Sequence, residues 1–143
     1  MTLAQLVEFT GNHPLLISAF LGVSGLLAVT ELRGRLSGIK QVGVVEATQL
    51  SNRDNAVFLD IREEADYRAG HIPDAVHIPL KQLATKNSEL ETYRNRPIIA
   101  YCRSGNQSRA AASLLKKSGF ETVYNLSGGI VAWQGANLPT RKA

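Results

Sequence analysis

The stretch AYCRSGNQSRAA, residues Ala100–Ala111, places the chain's single cysteine between an apolar run and a polar loop that contains a glycine. Upstream, PIIAY (Pro97–Tyr101) reads as a buried strand. Downstream, SRAAASLLKKSGF reads as an amphipathic helix that begins near Gln107 or Ser108, turns Ala111, Leu114 and Leu115 inward and ends at Gly119. In an open α/β sheet, ligands gather beyond the carboxyl ends of the strands, where loops run into helix N-termini. Cys102 falls in that place. The intervening RSGNQ must curl tightly, and Gly105 and Asn106 are the residues best able to take the positive φ that a curl requires. Amide N–H groups turned inward would form an anion cradle with the positive end of the helix, and Arg103 and Arg109 bring further positive charge. Such surroundings lower a cysteine's pKa from about 8.5 by one to several units and turn an inert thiol into a nucleophile. Free cysteine is also among the most buried residue types, so the loop alone leaves open both a reactive thiolate and a packed thiol.

Working outward, short apolar runs alternate with helical stretches. AVFLD (Ala56–Asp60) is a strand ending on an acid, and REEADYRAG is a helix stopped by Gly70. AVHIPL (Ala75–Leu80) is a second strand closed by Pro79, and KQLATKNSELETYR forms one or two helical pieces. TVYNL is another strand, and GGIVAWQGA a last helix after the Gly128–Gly129 turn. This alternation is the mark of an α/β domain, a small parallel sheet with helices on both faces.

The front of the chain is different. PLLISAFLGVSGLLAVT (Pro14–Thr30) carries no charge and stands between Glu8 and His13 on one side and Glu31, Arg33 and Arg35 on the other. Leu3, Leu6, Val7 and Phe9 extend it toward a full membrane span. A signal peptide would have a basic leading segment and a small-residue cleavage site, and a core helix would have a polar face. Ser18, Gly22, Ser24 and Gly25 are the only relief here, so a retained transmembrane anchor is the favoured reading. Arg33, Arg35 and Lys40 follow the span and no Lys or Arg precedes it, which orients the rest of the chain toward the cytoplasm. The small residues could also admit another helix, and so a membrane-protein partner. TELRGRLSGIKQVG (Thr30–Gly43) is a basic connector.

Composition narrows the function classes. At 143 residues, 44% hydrophobic and 20% charged, the chain suits one folded domain with an appendage. The formal charge of +4 is spread among acids without a basic stripe, which speaks against nucleic acid. One cysteine and three scattered histidines offer no internal disulfide and no metal-ligand spacing.

Three stretches together resemble the rhodanese-like (thiosulfate sulfurtransferase) family: FLDIREEADYRAGHIPDAVHIP, with Asp60 and Arg62 as its Asp-x-Arg and GHIPDA as its turn; YCRSGNQS as its active-site loop; and NLSGGIVAW as its closing segment. The resemblance covers residues 42–139, which divides the chain into an anchor at 1–35 (span about 14–30), a linker at 36–41, the rhodanese-like domain and a tail at 140–143. The resemblance implies a sulfurtransferase, which the apolar span and its flanking charges make membrane-anchored, single-pass in the cell membrane with its domain in the cytoplasm. Cys102 would take sulfane sulfur from thiosulfate or a related donor, carry it as a persulfide and pass it to cyanide in the test tube or to a thiol or protein acceptor in the cell, with no cofactor and no metal. The amides and side chains of Arg103, Ser104, Gly105, Asn106, Gln107 and Ser108 would bind the substrate, with Asp60, Arg62 and Arg109 in support. His71 is then a turn residue, and His77 and Trp133 are packing residues. Glu63 and Glu64 are helix-opening acids. Gln107 departs from the arginine common in relatives and removes one anion contact. Two other functions compete. A phosphatase or arsenate reductase would need an arginine six positions after the cysteine, where Ser108 stands, and a binding module at the membrane would leave the thiol incidental.

Overall fold

The computed structural model describes Thr2 and residues 11–36 and 38–143. The chain divides into two compact units, the first ending at Gly38 and the second running from Ile39 to Ala143.

In the first unit, α1 (Pro14–Leu36) is an uninterrupted helix of 23 residues, about 35 Å long at 1.5 Å per residue. Its Pro14–Leu32 segment is long and apolar enough to cross a membrane, and none of it is buried. Leu15, Phe20, Leu21, Leu26 and Leu27 all lie exposed, unlike the side chains of a soluble core helix. The hydroxyls of Ser18 and Thr30 donate to the carbonyls of Leu15 and Leu27, at 3.0 and 2.8 Å, so these polar groups are satisfied within the helix itself.

The second unit runs β1 (Lys40–Val42), α2 (Val44–Asp54), β2 (Val57–Asp60), α3 (Glu64–Ala69), β3 (Val76–His77), α4 (Leu80–Lys86), a 3₁₀ helix (Asn87–Tyr93), β4 (Ile98–Tyr101), α5 (Gln107–Lys117), β5 (Val123–Leu126) and α6 (Gly129–Gly135). The strands form one parallel sheet in the order β1-β5-β4-β2-β3. The central strands β2 and β4 are buried at every position, as their unbroken apolar runs require. Alternate residues serve opposite faces. Leu59, Ile98 and Ala100 pack with Leu83, Leu90, Ala111, Ala112 and Leu115 on one side, and Phe58, Ile99 and Tyr101 pack with Ala47, Leu126, Ile130 and Trp133 on the other. Trp133 meets Phe58 edge-on, with ring centroids 5.3 Å apart, and its indole N–H donates to the Pro139 carbonyl at 2.9 Å.

Several local expectations change. On α5 the inward stripe is Ser108, Ala111, Ala112 and Leu115, whereas Leu114 is 38% exposed. The spacing i, i+3, i+4, i+7 selects Ala112 and turns Leu114 toward the rim. β3 is only two residues long, because Pro79 caps α4 and Leu80 begins it. Lys40 and Gln41, read as the end of a linker, are the first residues of edge strand β1, and α2 follows them unannounced by the strand pattern. In the C-terminal tail, Arg141 exchanges two backbone hydrogen bonds with His71, each 2.9 Å.

At the carboxyl end of the sheet, Asp60 and Arg62 form a buried ion pair. Arg62 donates to the carboxylate through Nε at 3.0 Å and Nη2 at 2.6 Å, and its backbone N–H adds a bond of 2.9 Å. Nη2 also donates to the Gly70 carbonyl at 2.8 Å, tying the turn before β3 to the sheet. Tyr101 stands beside the pair in register with Asp60, and its hydroxyl accepts the Ile72 N–H at 3.1 Å. Burial and the Asp60 charge hold that hydroxyl firmly protonated. Removing one partner from such a pair strands the other charge. Arg62→Ala should therefore destabilise the domain by about 3–5 kcal/mol in denaturant titration of the detergent-solubilised chain, and Asp60→Leu/Arg62→Met should regain most of the loss. A cost below about 1 kcal/mol for the single variant would mean that the pair behaves as if solvated.

Candidate active site

Cys102 is the first residue after β4, and the backbone on either side of it is fixed from two directions. The N–H groups of Ile130 and Val131, at the start of α6, donate to the carbonyls of Cys102 and Arg103 at 2.9 and 3.2 Å. Only a glycine permits that approach, because a Cβ on Gly129 would lie 2.3 Å from the Cys102 carbonyl oxygen, and its φ is +56°. From β5, the buried Asn125 donates through Nδ2 to the Gly105 carbonyl at 2.9 Å and to Gln41 Oε1 at 2.6 Å. Gly105 takes a φ of +90°, as its place in the curl demands, while Asn106 is right-handed and leads directly into α5.

So held, the loop closes around the sulfur. Cys102 is 2% exposed; its Sγ accepts the Gly105 N–H at 3.1 Å and the Ser108 hydroxyl at 3.4 Å. Burial pushes the thiol's pKa up. Bonds from the Ser108 hydroxyl and from the N–H groups of Ser108, Gly105 and Ser104 outweigh it, so the pKa falls below that of a free thiol. The two arginines expected to help do not reach the sulfur. Arg103 pairs instead with Asp66 at 3.3 Å, and Arg109 is exposed on α5. Neutral hydrogen-bond donors, not guanidinium charges, make this thiol acidic.

A cleft of about 580 Å³ opens over Cys102, with Ser104, Asn106 and Gln107 on the loop side and Ile61 and Leu80 opposite. Charged residues complete its wall: Arg62, Glu63, Asp66, Lys81 and Arg103. The structure thus gathers Arg103, Ser104, Asn106, Gln107 and Arg62 around one space, puts Gly105 and Ser108 behind the sulfur, and keeps Asp60 wholly buried behind Arg62. Asp60 and Arg62 fasten the neighbouring GHIPDA turn and the end of β4; the loop itself is held from β5 and α6. His71 and His77 stack on opposite sides of Tyr67 at 3.9 and 4.2 Å, and His77 Nε2 lies 2.9 Å from the Arg62 carbonyl, a packing arrangement away from the sulfur. Among the described residues no group of three or more His, Cys, Asp or Glu could hold a metal. Asn125 is the part of the site that the sequence did not disclose. Its only signal was a polar residue in the middle of the apolar strand VYNL.

Known proteins share the fold of this unit. The family model described as a rhodanese-like domain matches residues 44–136. An uncharacterised Escherichia coli K12 protein, YibN, is 34% identical over 136 residues, covering 94% of this chain and 95% of its own, a span that must include the apolar helix. A thiosulfate sulfurtransferase, GlpE, of Pseudoalteromonas translucida is 36% identical over 97 residues, covering 68% of this chain and 90% of its own. Among solved structures, a thiosulfate sulfurtransferase from Pseudomonas aeruginosa superposes with a TM-score of 0.66 at 25% identity over 73% of this chain and 20% of that one. A rhodanese-related protein from Thermoplasma volcanium gives 0.64 at 25% identity, over 71% of this chain and 97% of its own. With the family model matched over residues 44–136, most of the folded unit, the chain belongs to the rhodanese-like family.

Proposed function

We propose that this protein is a membrane-anchored sulfurtransferase that moves sulfane sulfur through a persulfide on Cys102. The observation that carries this reading is the buried sulfur that accepts the Gly105 N–H at 3.1 Å and the Ser108 hydroxyl at 3.4 Å, a setting that favours an anion over a neutral thiol. In the proposed reaction the Cys102 thiolate attacks the outer sulfur of thiosulfate, the donor's S–S bond breaks and sulfite leaves with its electron pair. The outer sulfur stays on Cys102 as a persulfide anion beside the loop amides. A thiol, a protein acceptor or cyanide then attacks that sulfur and restores the thiolate. Arg103, Ser104, Asn106 and Gln107 face the donor, Gly105 and Ser108 stabilise the charge, and Asp60 and Arg62 keep the end of β4 in place. Ser108 stands where a phosphatase of this loop type would need an arginine, so the loop lacks the planar clamp for a phosphoryl group. Helix α1 would anchor the enzyme, and the basic residues after it would keep the domain in the cytoplasm.

Incubating the detergent-solubilised chain with thiosulfate should add the mass of one sulfur atom, which a thiol then removes. Cys102→Ser should abolish both the adduct and turnover with cyanide while leaving the melting temperature within a few degrees of wild type. Turnover by that variant would refute the mechanism.

The thiol's lowered pKa has a sign that can be tested. The thiolate is the reactive form, so kcat/KM should rise with pH through the Cys102 pKa and level off above it. Ser108→Ala removes the strongest of the pKa-lowering bonds. Its rising limb should move to higher pH, with a loss of about tenfold or more at neutral pH. An unmoved limb would assign the acidity to another cause.

For orientation, Ser88 is exposed on the domain, so Ser88→Cys in a Cys102→Ser background provides a labelling site. A membrane-impermeant maleimide should label it only after the cells are broken. Labelling of intact cells would reverse the proposed topology.

A further inference from the structure

Asn125 stands on β5 in register with Ala100 on one side and Gln41 on the other. Strand alternation puts it, wholly buried, on the sheet face where Val123, Ala100 and Cys102 pack against Ala111, Ala112 and Leu115 of α5. Both hydrogens of its amide are committed, because Nδ2 donates to Gln41 Oε1 at 2.6 Å and to the Gly105 carbonyl at 2.9 Å. Its Oδ1 is buried without a hydrogen-bond partner among the described residues. Exchanging the two amide atoms would not mend this, since Oδ1 would then lie 2.9 Å from the Gly105 carbonyl oxygen, acceptor against acceptor. A buried amide left half satisfied costs stability that an apolar side chain of like volume would not. The amide at this position is therefore explained by what it holds, not by what it adds to the core.

What it holds is a residue bonded to the sulfur. Gly105 donates its N–H to Cys102 Sγ at 3.1 Å while its carbonyl accepts from Asn125, so both ends of one glycine are fixed, at a φ of +90°. Glycine has more backbone freedom than any other residue, and without that second bond Gly105 has many ways of turning its N–H off the sulfur. A larger residue could not stiffen the position, because a Cβ there would lie 2.9 Å from the Leu126 carbonyl oxygen. Asn125 is braced in its turn. Gln41 is exposed on edge strand β1, and beside it the Ser127 N–H donates to the Val42 carbonyl at 2.8 Å, so β1 grips the end of β5 through backbone and side chain together. Resting for its functional meaning on the sulfur-transfer reading above, we propose that Asn125 and Gln41 are positioning residues for Cys102, a two-amide strut that runs from edge strand β1 to Gly105 and keeps the Gly105 N–H on the sulfur. Neither residue lines the cleft. The strut acts through Gly105 on a hydrogen bond to an anion, and such bonds are stronger than those to a neutral thiol. Its loss leaves the charged groups of the cleft, Arg62, Glu63, Asp66, Lys81 and Arg103, as they were, and Lys40 beside Gln41 stays paired with Glu46 at 2.8 Å.

The test titrates the full chain in detergent by the ultraviolet absorbance of its thiolate, with the Cys102→Ser trace subtracted to remove the tyrosines, and follows kcat/KM with thiosulfate and cyanide over the same pH range. Cys102 is the chain's single cysteine, so the signal has one source. Asn125→Leu should move the thiol titration up by about one pH unit and lower kcat/KM at neutral pH by about tenfold, the worth of one hydrogen bond to a charged sulfur. Gln41→Leu, on the exposed edge, should move the titration the same way by about half a unit. Gln41→Glu keeps the acceptor and should bring it back to the wild-type position. Both leucine variants should melt within a few degrees of wild type. A titration unmoved in both would overturn the strut, and so would equal shifts in Gln41→Glu and Gln41→Leu, which would put the effect in the strand and not in the amide. A shift in Asn125→Leu with none in Gln41→Leu would overturn the part given to Gln41. If Asn125→Leu does not fold, the two Gln41 variants decide the matter alone. The titration needs no sulfur donor, so a chain that never takes sulfur onto Cys102 would refute the function proposed above while the strut is still judged by its own measurement.

Discussion

The site depends on the balance struck at one atom, the Cys102 sulfur. Burying a thiol disfavours its anion, and the surrounding core would make this residue an inert packed cysteine if nothing opposed it. The opposition comes from donors that cannot be supplied singly. The Gly105 amide and the Ser108 hydroxyl must converge on one sulfur, so the backbone from Ser104 to Ser108 has to be wound around it and kept wound. Such a curl has little stability of its own, and it is maintained by what lies behind it. The Gly128–Gly129 turn brings the start of α6 within hydrogen-bonding distance of the Cys102 and Arg103 carbonyls, and Asn125 holds the Gly105 carbonyl from β5.

That dependence explains why the sheet order matters to the chemistry. β5 lies between β1 and β4, so Asn125 has Gln41 on one side and the active-site loop on the other. The Nδ2 group donates in both directions, which joins the edge strand to the loop through one buried amide. On the other flank, Asp60 and Arg62 join β2, the end of β4 and the turn before β3. The loop is thereby bounded by two independent buried polar networks, one charged and one neutral. The charged one is held by several hydrogen bonds, whereas the neutral one leaves Asn125 Oδ1 buried without a hydrogen-bond partner among the described residues.

Much of this was legible in the sequence because it is local. The strand PIIAY, the cysteine, the glycine and the helix follow one another directly, and each carries its own signal: an apolar run, a positive-φ residue, an amphipathic period. The family resemblance of FLDIREEADYRAGHIPDAVHIP and NLSGGIVAW likewise rested on contiguous words. The illegible parts depend on partners remote in the chain. Gln41 and Asn125 meet across 84 positions, and KQV is too short and too polar to announce a strand until β5 is in place beside it. Arg103 looked like a cation for the sulfur because it is adjacent in sequence, yet the curl points it toward Asp66, 37 positions earlier. Leu114 looked like core because it is a leucine, but three turns of helical geometry put Ala112 there instead.

The donors to the thiol and the charges at the cleft mouth therefore belong to different parts of the same cleft. The lowered pKa of the thiol comes from neutral donors packed around the sulfur. The Lys81–Glu63 and Arg103–Asp66 pairs at the mouth are exposed, so they contribute little to stability. In this arrangement Gln107 lines the cleft without adding charge to it. The direction of the thiol's pKa thus follows from the path of the backbone around the sulfur, not from a cation at position 107.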